Sequence, residues 1–204
     1  MKKIILLFAL VLGINALAAD KNSHPLAGAD KVIWAGVDYS HTRFIGPGEF
    51  PNADTLFPGL LDEWNNLVLQ ERLPFLEKEL HLPVVTDING VTEVNKSATA
   101  SQIVNQPGPT DTIGESLITP DVVAQAVRSY KLQSTSGVAV VFIADRFVKL
   151  GKKGEGAVWV VVFDVGSRNV LFSERTVSKA AGFGLRNYWF RIIKNAEREL
   201  AKAR

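Results

Sequence analysis

The chain has 204 residues, a formal net charge of +2, 47% hydrophobic residues and no cysteine. That length and apolar content suit one hydrophobic core of ordinary size. The missing thiol excludes disulfides, thiolate metal sites, a cysteine nucleophile and the lipid-bearing cysteine of a lipoprotein.

Met1 to Ala19 reads as a cleavable secretory signal. Lys2 and Lys3 form its charged start, Ile4 to Leu12 its apolar run, and Ala16-Leu17-Ala18 its small-residue cleavage site. The run is too short for a comfortable membrane span. Short lysine-initiated signals suit a bacterium, so the expected location is periplasmic or secreted. Residues 1–19 are then removed, 20–30 form a flexible polar leader, and 31–204 form a single α/β domain. Without the two signal lysines the chain holds 21 basic and 21 acidic residues, unevenly placed. From Lys149 onward there are 12 basic and 5 acidic residues, and from Asp20 to Val148 there are 9 and 16. The simplest reading is that these blocks offset each other within one fold. The alternative is a basic face for an anionic partner such as phospholipid, lipopolysaccharide or cell-wall polymer.

Lys31 to Tyr39 predicts the first strand, with Val32, Ile33, Trp34 and Val37 as its apolar content. Leu56 to Leu80 predicts one long helix or two. Leu60, Leu61, Trp64, Leu67, Val68 and Glu71 fall near helical spacing, Asp54 or Thr55 is the expected N-cap, and a kink or break is expected at Pro74. Pro83 to Ile88 predicts a short second strand. Asn89-Gly90 reads as a turn, with Val91 to Val94 as a hairpin arm. Ser97 to Ser116 is a long polar loop, functional or disordered. Thr119 and Pro120 open a helix as N-cap and first residue. Its apolar face is Val122, Val123, Ala126, Val127 and Tyr130.

Gly137 to Ser178 then predicts a three-stranded meander. Val138 to Ala144 and Ala157 to Phe163 are continuous apolar runs, as expected of strands covered on both faces. Gly151 to Gly156 is their hairpin connection, and Asp164 to Asn169 is a turn into a more polar strand, Val170 to Val177. Gly184 to Lys202 predicts the last helix. Leu185, Tyr188, Trp189, Ile192, Ile193, Ala196 and Leu200 form its apolar stripe, with Arg186, Arg191, Lys194, Glu197 and Arg198 off it. The order β-α-β-α-β-β-β-α implies a layered α/β sandwich with a mixed sheet of about five strands.

A strand ending in Asp164, the tight turn Val165 to Asn169, Val170 to Ser173, a glycine segment at Gly182 and Gly184 and a terminal amphipathic helix follow one another. This pattern, over Thr119 to Arg204, resembles the amino-terminal domain of TolB and the CsgG-like bacterial envelope domains. The resemblance implies a non-catalytic assembly or accessory domain.

The best local site is Asp38 to Arg43, because α/β folds bind ligands beyond strand ends. His41 would be a base, Asp38 its orienting partner, Ser40 a nucleophile and Arg43 an anion clamp. Neighbouring strand residues point to opposite faces, which works against Ser40 meeting His41. Arg43, Lys152, Lys153 and Arg168 are the candidate binding residues. Gly151-Lys152-Lys153-Gly154 lacks the spacing of a phosphate-binding loop. His24 and His81 are isolated, so a metal would need distant carboxylates such as Asp38, Asp87, Asp145 or Asp164. Asp145-Arg146 reads as an internal ion pair, and Trp34, Trp64, Trp159 and Trp189 as core.

The expected function is therefore that of an exported envelope accessory or assembly factor acting by binding an envelope protein or an anionic envelope polymer or lipid. No cofactor, metal or nucleic acid is expected. Self-association through sheet edges or the terminal helix is a further expectation. The alternative is a periplasmic hydrolase or small-ligand-binding protein centred on the loop after the first strand.

Overall fold

The computed structural model describes residues 25–114 and 116–202. The expected secretory signal, His24 and the start of the expected leader lie outside these residues. One mixed sheet is covered on both faces by helices, which is the layered α/β architecture that the element order implies.

The sheet is built around β5 (Val138–Val148), which is buried almost throughout. On one side β6 (Glu155–Asp164) and β7 (Val170–Lys179) complete an antiparallel meander. On the other side β1 (Val32–Asp38) runs parallel to the first half of β5, and β2 (Arg43–Ile45) to its end. β3 (Val84–Thr86) then pairs with β1, and β4 (Ile103–Val104) with β2, both parallel. There are thus seven strands rather than about five, but they occupy five columns, two of them split.

Alternation along the strands divides the core in two. Trp34, Val140, Phe142, Phe147 and Val160 face the side covered by the 53–80 helices and by α6 (Gly184–Lys202). Ile33, Ala139, Val141, Ile143 and Phe163 face α4 (Asn89–Asn95) and α5 (Pro120–Ser129). Leu26, in the expected leader, is 3% exposed and packs into the first cluster.

The 53–80 stretch is helical in pieces: α1 (Ala53–Thr55), α2 (Leu61–Leu67) and α3 (Leu73–Leu80), joined by two wider π-type turns. Its N-cap is Asn52, which accepts from the Thr55 N–H at 3.0 Å, and not Asp54 or Thr55. Phe57 leaves helical geometry before Pro58, as residues preceding proline do. The second π turn, Val68–Arg72, lies just before Pro74. The helix absorbs the missing N–H by widening, so no break is needed. Glu71 does not join the apolar stripe; it is exposed and pairs with Lys194.

Val91 to Val94 is not a hairpin arm but part of helix α4. The β-branched residues misled because tertiary contacts override a weak local preference. Gly90 packs against Lys131 so closely that a Cβ would lie 2.8 Å from the Lys131 nitrogen. Asn95 projects to β1, where it bonds the Tyr39 N–H and the Val37 carbonyl. Asn65 of α2 likewise bonds both backbone groups of Val37. β3 pairs with β1 only as far as Trp34, so two amide side chains substitute for a strand beyond it.

Candidate functional site

The end of β1 is well ordered by polar contacts, and those contacts engage the residues that a catalytic site would use. Asp38 is fully buried. Its Oδ1 accepts from the Ser40 N–H at 2.8 Å and its Oδ2 from the Tyr130 hydroxyl at 2.7 Å. Burial, and then the Asp38 charge, push the Tyr130 hydroxyl well above its ordinary pKa. His41 is exposed and makes no side-chain hydrogen bond among the described residues. The Ser40 Oγ is buried without a partner there. Arg43 is on a strand rather than a loop, and pairs with Asp111 at 3.0 Å. Asp38 is therefore held by Tyr130 and Arg43 by Asp111, with His41 turned to solvent.

The Ser97 to Ser116 stretch is not an unstructured loop. It carries a 3₁₀ turn (Ala100–Gln102) and β4. Gln102 Nε2 donates to the carbonyls of Tyr39 and Thr42, each at 2.8 Å, knitting this stretch to the loop after β1. Its later part lies over a bulge in β5 between Ala144 and Arg146. A bulge breaks alternation, so Asp145 and Arg146 both lie under the covering segment. Arg146 donates to the carbonyls of Thr110 and Thr112. Arg175 donates to those of Ile113 and Gly114, and its Nε meets Asp145 Oδ2 at 2.7 Å. The Arg146–Asp145 pair is present at 3.7 Å. β5 and β7 thus each send an arginine to carbonyls of one segment, and Arg43 of β2 pairs with the Asp111 carboxylate in it.

Arg168, Lys152 and Lys153 are not brought to one place. Arg168 has φ 61° in the turn after β6, near Asp87. Asp87 accepts from the Ser134 N–H at 2.7 Å; burial raises its pKa, but bonds from Ser134 and Gln133 hold it below the ordinary value. Asp164 caps its own turn through Ser167, whose hydrogen bonds lower its pKa. Lys152 and Lys153 lie at the opposite end of the sheet, in the β5–β6 connection. Among the described residues, no group of three or more histidines and carboxylates converges as metal ligands. Trp34, Trp64 and Trp189 are core, while Trp159 is partly exposed and donates to Ser116 Oγ at 3.2 Å.

The end bearing Lys152 and Lys153 also carries two residues that pattern reading passed over. Leu150 is 52% exposed and Phe183 is 95% exposed. The segment before α6 lies beside the hairpin: Ala180 N–H donates to the Gly154 carbonyl at 2.9 Å, and Gly154 N–H to the Tyr188 hydroxyl at 2.6 Å. Between them is a cleft of about 330 Å³ lined by Glu49, Lys149, Gly182, Gly184, Leu185 and Tyr188. Lys149 pairs with Glu49 at 2.6 Å and lies over the Tyr188 ring. The available signal was local: a leucine beside lysines, and a phenylalanine between two glycines followed by Arg186.

No family model matches the chain, and no curated protein matches it. Among solved structures it is similar to the hypothetical protein CT253 from Chlamydia trachomatis. The identity is 12% and the TM-score 0.38, over 84% of this chain and 94% of that one.

Proposed function

We propose that the protein is an exported bacterial envelope accessory or assembly factor that acts by binding rather than by catalysis. The observation that carries this reading is the distribution of polar groups. Of the buried charges, Asp38, Asp145 and Arg146 bond side chains and carbonyls of neighbouring elements and of the segment after β4. At one end of the sheet the exposed apolar side chains Leu150 and Phe183 lie with the exposed Lys152, Lys153 and Arg186, none of which has an ion pair among the described residues. The resemblance to the TolB amino-terminal and CsgG-like domains, and the secretory signal, agree with it. A second reading, a hydrolase at the end of β1, is favoured only by the unpartnered Ser40 Oγ.

The two readings part in one experiment. The purified protein and its His41→Ala variant are assayed on a panel of ester, amide and phosphoester substrates and sedimented with isolated cell envelopes. The binding reading predicts envelope association in both proteins. Turnover that His41→Ala abolishes, without envelope association, would overturn it.

A further inference from the structure

We propose that the end formed by residues 149–154 and 180–186 docks on an anionic lipid bilayer surface. Phe183 and Leu150 enter the interface, and Lys152, Lys153 and Arg186 meet the headgroup phosphates. This rests on the binding reading above and names the partner.

The first support is geometric. Phe183 stands between Gly182 (φ +136°) and Gly184 (φ +75°), a backbone path that side-chain-bearing residues rarely follow. Its platform is fixed by Ala180 to Gly154 at 2.9 Å and by Ala181 to the Tyr188 carbonyl at 3.1 Å. An almost wholly exposed phenylalanine is therefore held out from a braced support. Single exposed apolar residues are ordinary, but here Leu150 projects from the adjoining hairpin.

The second support is charge. Lys149, Lys152, Lys153, Lys179 and Arg186 share this end with Glu49 and Glu155, five bases against two acids. Lys149 and Glu49 neutralise each other. Lys152, Lys153 and Arg186 are exposed and have no ion pair among the described residues. Apolar tips ringed by basic side chains are complementary to a surface that is negative outside and apolar just beneath. A protein partner would need a broader matched surface, about 800 Å² on each side, than two isolated side chains offer. No helix among the described residues is long and apolar enough to cross a membrane, so the contact is peripheral and reversible.

The test is sedimentation of the purified protein with vesicles of phosphatidylcholine alone or mixed with phosphatidylglycerol. Binding is expected only to the mixed vesicles, weakening as salt is raised. Lys152→Gln with Lys153→Gln weakens it about 25-fold, from roughly fivefold per basic side chain near the surface. Phe183→Ser weakens it about tenfold, while Lys96→Gln, at the residue just after α4, leaves it unchanged. All are exposed positions, and circular dichroism checks the fold of each variant. In a Phe183→Trp variant the indole emission shifts to the blue on mixed vesicles. Equal binding to neutral vesicles, or binding that the lysine and phenylalanine variants leave intact, would overturn the proposal. Absence of vesicle binding with retained envelope association overturns the lipid assignment alone. Loss of both, with His41-dependent turnover, overturns the underlying reading too.

Discussion

Glu197 shows how far one residue can depart from its place in a pattern. Helical spacing puts it beside the apolar stripe of α6, among solvated charges. In the fold its side chain is 1% exposed and its Oε2 takes a 2.6 Å hydrogen bond from Arg72 of the second π turn. Its Oε1 has no partner among the described residues. Burial dominates, and Arg72 offsets only part of it, so the pKa rises from 4.5 to about 7. A carboxyl that holds its proton better when folded adds stability below its ordinary pKa. That stability is lost as pH rises through the folded value. The fall amounts to at most about 3 kcal/mol between pH 4.5 and 7. Asp87 and Asp164, shifted downward, act below about pH 4, a separate window. Urea unfolding from pH 5 to pH 8 should therefore show declining stability in the parent protein. It should show a flatter profile in Glu197→Gln, which keeps an acceptor for Arg72. An unchanged slope in the variant would assign the dependence elsewhere.

At the scale of elements, the 105–118 stretch gives the clearest case of structure supplied from a distance. Its sequence is polar and broken by Pro107 and Pro109, with no periodicity to read. Order comes from Arg43, Arg146 and Arg175, on three different strands, and a local pattern cannot announce such partners. Replacing Arg175 by Ala leaves Asp145, which is fully buried, with its poorer 3.7 Å contact to Arg146. The expected cost is about 3 kcal/mol, with faster proteolytic cutting within 108–117. Unchanged cutting would show that the arginines do not hold the loop. β2 and β4 were illegible for a related reason. Strands of three and two residues have no alternation to detect. Helix α4 was misread because its fate depends on Asn95 reaching Tyr39, 56 positions away in the chain. Where local chemistry decides, reading succeeded: Thr119 accepts from the Val122 N–H, and α6 occupies Gly184–Lys202.

For the whole molecule, the meander that continuous apolar runs made legible is the scaffold. β5, β6 and β7 carry no exposed cluster of reactive groups. The β5–β6 connection and the residues around the start of α6 carry Leu150, Lys152, Lys153, Phe183 and Arg186, all exposed. Lys152 and Lys153 were legible as exposed residues, since a lysine pair between glycines belongs on a surface turn. Their company was not, because Phe183 and Arg186 join them only when β7 returns the chain to that end. The block of 12 basic residues after Lys149 is likewise not a patch by itself. Folding gathers some of it at one end and pairs Arg175 internally. Hydrogen–deuterium exchange on the purified protein, with and without anionic vesicles, tests the central claim most directly. Protection confined to residues 149–154 and 180–186 is the predicted result. Protection at residues 38–43 and 105–118 instead, or at neither, would contradict it.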